Sequence, residues 1–338
     1  MSTHTLVVRL DSDGDVLLAG PAVRAVAAGA GRVTLLCGPR GRAAAELLPG
    51  VDEVIAYRAP WIDPEPQPVD REALSGLVRE LLGRRFDEAV ILTSFHQSAL
   101  PTALVLRLAG VPRIAAISED YPGSLLDVRH RVDERADVHE VERALALVET
   151  LGHSLPPGDD GRLAIRQVGA NPVPESHRPY VVVHPGAFAP ARAWAPERNA
   201  ALVRALARNV VVTGAAGERA LTSFVAGDQL DLGGATDLAG LAAVLADADA
   251  VVVGNTGPAH LAAAVGTPVV SLFAPVVPAE RWRPWRVPHV LLGDQNAACA
   301  GSRARECPIA GHPCLGSVSV EEVVDALERL APSWEEAA

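Results

Sequence analysis

Residues 251–275 constrain the fold of this chain more than any other segment, with the sequence VVVGNTGPAHLAAAVGTPVVSLFAP. An apolar run ends at Gly254, a polar turn follows, and a small-residue helix is predicted to begin near His260. A second apolar run follows Thr267 and Pro268. This order is typical of a strand, a crossover helix and a parallel strand. The start of such a helix directs backbone N–H groups and the positive end of the helix dipole at one point, which suits a phosphate.

The same alternation of apolar runs and helical patterns occupies most of the chain. In the first half it predicts strands at 5–10, 32–37, 54–57, 88–92 and 113–117, and helices at 16–28, 42–48, 71–82, 98–109 and 139–151. In the second half it predicts strands at 180–184, 209–213, 250–253, 269–273 and 289–292, and helices at 196–207, 218–226, 238–246 and 320–330. Ser319, with Glu322 three residues later, is expected to cap the last helix. This alternation predicts an α/β fold with two doubly wound, Rossmann-like parallel sheets.

A segment rich in Pro, Gly, Asp and Ser separates the two halves. We predict an N-terminal domain at 1–165, a linker at 166–178 and a C-terminal domain at 179–318. Residues 319–338 are expected to form a helix that returns toward the N-terminal domain. Because ligands of such folds bind at the carboxyl ends of the strands, we expect the two domains to face each other across a cleft.

Composition and charge argue against several functions. The net charge of −11 disfavours a nucleic-acid partner. All 30 basic residues are arginine, so no lysine is present for a Walker loop, a Schiff base or a lysine general base. No apolar run approaches the ~20 residues that cross a bilayer, so no transmembrane segment is expected, although peripheral membrane association is compatible with the sequence. The absence of a signal-peptide pattern and the use of only 4 Cys predict a reducing, cytoplasmic location.

Six segments carry a joint pattern in their order and spacing. They are RLDSDGDVLLAGPAV at 9–23, HEVERALALVETLG at 139–152, the segment HPGAFAPARAW within 181–206, VVVTGAAGERAL at 210–221, 231–275, and CPIAGHPCLGSVSVEEV at 307–323. Together they resemble glycosyltransferase family 9, the heptosyltransferase-like enzymes with the GT-B fold. The resemblance implies sugar transfer, with inversion at the anomeric carbon, from a nucleotide-diphosphate donor, expected to be ADP-heptose. The acceptor would be a hydroxyl of a glycan, a lipid-linked molecule or a natural product, and neither a catalytic metal nor a further cofactor is implied.

Asp11, Asp13 and Asp15 crowd the turn after the first predicted strand. A calcium loop would need Gly and Glu where Val16 and Ala22 stand, so that interpretation is disfavoured. A solvated acidic turn that caps the next helix would account for these residues. Alternatively, one carboxylate accepts the proton of an attacking hydroxyl, and crowding of like charges should raise the pKa of at least one.

The family resemblance favours the second interpretation. In the family the catalytic base sits in a Gly-Asp pair at the start of a helix, and Gly14-Asp15 matches that pair. We therefore assign Asp15 as the base. Asp13 is the second candidate, and Asp13 and Gly14 are expected to bind the acceptor.

The donor is expected to bind after the strands of the C-terminal domain. By resemblance the donor-binding residues are His184, Gly186, Ala187, Arg192, Thr213, Gly214, Glu218, Thr236, Leu238, Asn255, Thr256, Gly257, Pro258 and His260. Arg192 is also assigned a catalytic role, because a cation there would stabilise the charge that grows on the leaving diphosphate. Glu218 would accept the ribose hydroxyls, or else it is only an acid at a helix start. Thr236 is placed near the adenine by analogy.

Four positions depart from the family pattern. The family commonly has Asp where Asn255 stands and Lys where Arg192 stands. Asn carries no charge, which leaves the identity of the donor sugar open. Arg keeps the charge and adds a fork that suits phosphate. Family members often carry hydroxyl or small residues after HPG, whereas Ala187 and Phe188 occupy those places here, so only backbone N–H groups are expected to contact phosphate there.

Other functions and sites remain as alternatives. A non-catalytic nucleotide-sugar-binding protein and a transferase with another donor are both compatible with the sequence. A dinucleotide-dependent oxidoreductase is disfavoured, because neither 38–41 nor the first turn supplies Gly-x-Gly-x-x-Gly. Cys299, Cys307 and Cys314, with His312 nearby, are spaced too widely for a typical zinc site. His260 is also compatible with a structural role in the core.

Overall fold

A computed structural model describes residues 3–133 and 135–331 of the chain. Their contacts form two compact units, Met1–Arg166 and Gln167–Ala338. Each unit contains one sheet of six parallel strands with helices. The α/β fold with two doubly wound sheets, expected from the alternation of patterns, is therefore confirmed.

In residues 3–133 and 135–166, the first unit contains six strands and five α-helices. Its strands are β1 (His4–Arg9), β2 (Arg32–Cys37), β3 (Glu53–Ala56), β4 (Glu88–Ile91), β5 (Ile114–Ile117) and β6 (Val128–His130). Its helices are α1 (Asp13–Gly29), α2 (Arg42–Leu47), α3 (Arg71–Arg84), α4 (Leu100–Leu108) and α5 (Glu140–Glu149). The strand order is β3-β2-β1-β4-β5-β6.

The second unit repeats this plan. Its strands are β7 (Val181–His184), β8 (Val210–Val212), β9 (Leu230–Asp231), β10 (Val251–Gly254), β11 (Val269–Leu272) and β12 (His289–Leu292). Its helices are α6 (Pro196–Ala205), α7 (Arg219–Ala226), α8 (Leu238–Ala246), α9 (Gly257–Val265), α10 (Ala279–Trp282), α11 (Pro313–Gly316) and α12 (Val320–Leu330). The strand order is β12-β11-β10-β7-β8-β9.

Burial explains why the central strands are apolar along their whole length. Residues of β4, β5, β7, β10 and β11 are buried at every position, as a parallel sheet covered on both faces requires. In each sheet the direction of strand addition reverses next to the first strand, between β1 and β4 and between β7 and β10. The carboxyl ends of strands at such a reversal leave a crevice where ligands of this fold bind. These two places are therefore where a site is expected.

The sequence pattern did not predict two strands. β6 and β9 are edge strands of only three and two residues, and neither contains a fully buried position. Such strands lack the apolar run that marks the central ones. Between Glu149 and Glu175, a segment that the structure describes throughout, there is neither helix nor strand.

The C-terminal helix packs on its own unit. α12 contacts α6, β11 and β12 and buries Val323, Ala326 and Leu327, an i, i+3, i+4 stripe. Residues 332–338 lie outside the described part, so the return of 319–338 toward the N-terminal domain stays a prediction. Among the described residues, no helix is long and apolar enough to span a membrane.

The predicted cap of α12 is confirmed and can be tested. The Ser319 Oγ accepts the Glu322 N–H at 3.1 Å, and the Glu322 carboxylate accepts the Ser319 N–H at 2.7 Å. Ser319→Ala leaves a helix N–H without its acceptor and should lower the free energy of unfolding by about 1 kcal/mol, measured by urea denaturation. Glu328→Ala, at an exposed position of the same helix, is the control and should change it by less than about 0.5 kcal/mol. Equal effects of the two changes would contradict the cap.

Candidate functional site

A buried arginine lies at the strand reversal of the first unit. Arg9 ends β1 and is only 3% exposed. Its Nε lies 3.0 Å from the Asp11 carboxylate, and its Nη2 lies 3.0 Å from the Asp15 carboxylate. Nη1 lies 3.6 Å from Glu140 of α5, and Nη2 donates to the Ser94 Oγ beyond β4 at 2.8 Å. Three carboxylates, from the turn after β1, from α1 and from α5, therefore surround one guanidinium.

Asp15 occupies the first turn of α1, as expected from the Gly-Asp pair. Its side chain is 22% exposed, so it reaches solvent while one oxygen contacts Arg9. The other oxygen accepts a hydrogen bond from the Ser12 Oγ at 3.1 Å. These contacts orient a carboxylate that is still accessible, which is what a general base requires.

The neighbouring aspartates are held differently. Asp13 accepts the Ala44 N–H at 3.0 Å. Gly14, between Asp13 and Asp15, is buried in the first turn of α1. Burial raises the pKa of Asp13, and burial together with the charge of Asp15 raises the pKa of Asp11 against the opposing effect of Arg9. Burial is thus the main cause of the raised pKa values, with like-charge crowding a smaller one at Asp11.

A pocket of about 170 Å³ lies at the carboxyl ends of β4 and β5 in the same unit. Its lining is largely polar and comprises Phe95, His96, Gln97, Ser98, Ala99, Ile117, Ser118, Glu119, Asp120 and Arg143. Gln97 connects it to the aspartates, because its Nε2 donates to Asp11 at 2.5 Å. Arg143 donates to the Thr93 carbonyl from α5. The pocket and Asp15 therefore belong to one hydrogen-bonded network.

In the second unit, the turns after β7 and β8 meet. His184 ends β7, and its Nδ1 lies 2.9 Å from the Thr213 hydroxyl. Beyond it, a Cβ on Gly186 would lie 2.1 Å from the Glu218 Oε1, so a larger residue here would displace the Glu218 carboxylate. Glu218 also accepts the Ala215 N–H at 2.8 Å. The structure thus brings four predicted residues together: His184, Gly186, Thr213 and Glu218.

Arg192 lies beside the end of β10. It closes a 3₁₀ turn at Pro190–Arg192, and its Nη1 is 3.4 Å from the Asn255 carbonyl. A Cβ on Gly254 would lie 2.7 Å from the Arg192 carbonyl, so the glycine allows the two segments to approach. The guanidinium is therefore placed next to the turn that precedes α9.

The Asn255 side chain forms hydrogen bonds with the backbone just after the neighbouring strand, β11. Its Oδ1 accepts the Ala274 N–H and its Nδ2 donates to the Ala274 carbonyl, both at 3.4 Å. Aspartate has no N–H to donate, so the amide explains why Asn rather than Asp fits this position. Thr256 then caps α9 by position, and its N–H bonds to the Gly254 carbonyl at 2.8 Å.

The remaining predicted residues lie close to these turns. Gly257, Pro258 and His260 form the first turn of α9, where His260 is buried. The Gly214 carbonyl accepts the Gly234 N–H at 2.8 Å, which joins the turns after β8 and β9. Thr236 and Leu238 flank Asp237, the cap of α8, and Ala187 is partly exposed beyond Gly186.

The segment with the cysteines supports the Arg192 turn. The Ala191 N–H bonds to the Arg305 carbonyl at 2.9 Å, and the His312 Nε2 donates to the Ala191 carbonyl at 3.0 Å. Cys299 and Cys314 are buried in the apolar core, and burial raises the pKa of the Cys314 thiol to about 11. No group of three or more His, Cys, Asp or Glu in the described part of the chain is arranged to hold a metal ion.

Sequence reasoning missed the residues that surround Asp15. Arg9, Ser94, Gln97 and Glu140 were not singled out, and neither was the pocket beside them. One signal was available: Arg9 is a charge at the end of an apolar run, and a polar segment follows the fourth strand. Strand order places the ends of β1 and β4 side by side, and local sequence patterns do not reveal strand order.

His184 gives this site a testable pH dependence. Burial lowers its pKa to about 4 from 6.5, so the folded state keeps the imidazole neutral where the unfolded chain binds a proton. The free energy of unfolding should therefore fall as the pH is lowered from 6.5 toward 4, by up to about 3 kcal/mol. His184→Gln should remove this part of the pH dependence, measured by denaturation at several pH values, whereas the control His177→Gln should retain it. An unchanged slope in His184→Gln would contradict the assignment.

Comparison with known proteins agrees with this geometry. Residues 75–312, more than half of the chain, match the family model Glycosyltransferase family 9 (heptosyltransferase). A search of curated proteins found no match.

Solved structures resemble the fold over almost the whole chain. A family 9 glycosyl transferase from Veillonella parvula has 18% identity and a TM-score of 0.77, covering 98% of this chain and 97% of that one. The E. coli ADP-heptose lipopolysaccharide heptosyltransferase II has 22% identity and a TM-score of 0.74, covering 99% and 100%. E. coli heptosyltransferase WaaC, solved with ADP-2-deoxy-2-fluoro heptose, has 21% identity and a TM-score of 0.70, covering 96% and 99%. The two doubly wound sheets, the turns at their reversals and the family match lead to one conclusion: this chain belongs to glycosyltransferase family 9, the heptosyltransferase family, and is a glycosyltransferase.

Proposed function

We propose that this enzyme transfers heptose or a related sugar from a nucleotide-diphosphate donor, ADP-heptose being the first candidate, to an acceptor hydroxyl. The acceptor is a glycan, a lipid-linked molecule or a natural product, and the transfer inverts the anomeric carbon without a metal. Arg192 carries the proposal, because it lies against the turn before α9. That turn is the place in the second unit where a helix start and a guanidinium can contact one diphosphate.

The donor is assigned to the second unit. The Gly257 N–H and the dipole of the nine-residue α9 face one phosphate, and Arg192 contacts the other. Pro258 has no N–H, and the Ala259 N–H bonds to the Thr256 carbonyl, so neither serves the phosphate. Glu218, beside Gly186, accepts the ribose hydroxyls, and Thr236 borders the base.

The acceptor is assigned to the pocket of the first unit. At about 170 Å³ it suits a single sugar ring better than a large ligand. Its polar lining offers both donors and acceptors to hydroxyl groups. Because Gln97 belongs to the pocket and contacts Asp11, a hydroxyl bound there approaches the carboxylates at the start of α1.

The reaction step follows from these assignments. The acceptor hydroxyl transfers its proton to Asp15 as its oxygen forms a bond to the anomeric carbon. The bond between that carbon and the diphosphate breaks on the opposite face, and the electron pair leaves with the diphosphate. Arg192 and the start of α9 stabilise this charge more in the transition state than in the ground state.

A different donor sugar is the second candidate. The Asn255 amide is engaged with the Ala274 backbone, and it is neutral where the family commonly has a carboxylate. The contact that a carboxylate would make with hydroxyls of the sugar is therefore changed in this chain. A transferase that uses another nucleotide sugar is compatible with the same diphosphate site.

Binding of candidate donors to the wild-type protein tests the proposal. ADP-heptose should raise the melting temperature above that seen with ADP-glucose, GDP-mannose, UDP-glucose or TDP-glucose, since a bound ligand stabilises the folded state by mass action. Stabilisation by another sugar nucleotide alone would favour the second candidate. If no sugar nucleotide raises the melting temperature, the donor assignment is wrong.

Asp15→Asn separates catalysis from donor binding. The amide cannot take the proton, so turnover should fall by about 10²–10⁴-fold while the dissociation constant of the donor changes little. Transfer is measured by release of the nucleoside diphosphate in the presence of acceptor, and donor binding by calorimetry. Asp87 is an exposed aspartate before the amino end of β4, away from the carboxyl ends where Asp15 lies. Asp87→Asn should leave both turnover and donor binding unchanged. A non-catalytic binding protein would show no turnover in the wild type to lose.

A further inference from the structure

The buried ion cluster around Arg9 has an arrangement that protein stability alone does not require. The Nε, Nη2 and Nη1 atoms of a single guanidinium pair with Asp11, Asp15 and Glu140 respectively, and the side chain of Glu140 is only 2% exposed. Replacement of buried ion clusters by apolar residues is often neutral or stabilising in other proteins. Only one of the three carboxylates, Asp15, is substantially accessible to solvent.

We propose that Arg9 and Glu140 are positioning residues that set the orientation and the proton affinity of the Asp15 carboxylate. This inference rests on the proposed function, in which Asp15 is the base. Arg9 favours the ionised carboxylate and holds one oxygen by a charge-assisted hydrogen bond at 3.0 Å. That bond leaves the oxygen nearer to Ser12 to take the acceptor proton. Glu140 lies 3.6 Å from Nη1 of the same guanidinium and opposes part of its charge, so the base keeps its affinity for a proton.

The planar guanidinium of Arg9 also holds Asp15 at a fixed position relative to the acceptor pocket. Nη2 donates both to Asp15 and to Ser94, which follows β4 on the side of the pocket. Gln97, a lining residue, holds Asp11 and accepts the Ser94 N–H at 2.9 Å. A lysine would keep the charge, but it lacks the planar fork that joins these partners.

Other charged groups lie on the elements packed around the start of α1. They are Cys37 at the end of β2, Arg40 in the turn after β2, Arg42 and Glu46 on α2, and His139 and Arg143 at the start of α5. Burial raises the pKa of Cys37 to about 12, so it stays neutral in the working range. Arg40 is exposed and acts on Asp11 and Asp13. Arg9 forms an ion pair with Asp15 at 3.0 Å, and it is therefore the group to change.

The pH dependence of kcat/KM tests the inference in opposite directions. The acid limb of this profile is the range in which kcat/KM rises with pH as Asp15 loses its proton. In Arg9→Gln the Asp15 carboxylate loses its cation, and the acid limb should move up by about one pH unit. In Glu140→Gln, the opposing negative charge is removed, and the limb should move down by about half a unit. Arg9→Lys should keep the limb near its wild-type position but lower kcat about tenfold, with KM for the donor unchanged, because orientation alone is lost.

Glu88→Gln is the matched control. Glu88 is a buried carboxylate at the amino end of β4 in the same sheet, where it pairs with Arg113 and His153. It should alter stability without moving the acid limb. An unmoved limb in both Arg9→Gln and Glu140→Gln, or movement of both in the same direction, would overturn the inference. If Arg9→Gln does not fold, the other two variants test the inference. It is overturned if the acid limb does not move down in Glu140→Gln, or if kcat does not fall in Arg9→Lys.

A second readout does not depend on turnover. Carbon NMR titration of labelled aspartate, with the Asp15 signal assigned by its loss in Asp15→Asn, should show the same opposite displacements of the midpoint. If the wild type transfers no sugar but these displacements occur, the proposed function fails and the coupling of Arg9 and Glu140 to Asp15 stands. If the wild type is active and the midpoint does not move, the function stands and the inference fails.

Discussion

The pairing of the buried Arg9 guanidinium with three carboxylates is the interaction that organises the site of the first unit. A charge that is only 3% exposed must be compensated, because an unpaired buried charge costs several kcal/mol. The turn after β1, the loop after β4 and the start of α5 all supply partners to it. The compensation of one arginine therefore holds the candidate base in the crevice at the strand reversal, next to a polar pocket.

The second unit builds its site mainly from backbone. Gly254 lets two segments approach to a distance that a Cβ would prevent, and Gly186 leaves room for the Glu218 carboxylate. Asn255 joins two strand ends through its amide. The Arg192 turn is held from outside by main-chain and His312 contacts of the cysteine-bearing segment. This gives the three cysteines a structural setting: two pack in the core beneath the segment that supports the arginine.

Much of this could be predicted from local sequence patterns. The fully buried strands and the capped helix α12 were predicted because their signals, an apolar run or a capping pair, lie within a few residues. The turns at the ends of β7, β8 and β10 were singled out by their order and spacing, which resemble those of a family. The edge strands β6 and β9 escaped prediction because two or three residues, none of them fully buried, carry no such signal.

By itself, the sequence determined the α/β class, the double series of parallel strands and the acidic and glycine-containing turns that end them. Only the tertiary structure decided which residues surround those turns. Arg9 meets Ser94, and Gln97 meets Asp11, across 85 and 86 positions of the chain. Periodicity and capping act over one or two turns of chain, whereas these pairs form only because strand order places β1 beside β4. The partners of the candidate base are thus a property of the sheet and not of any one segment.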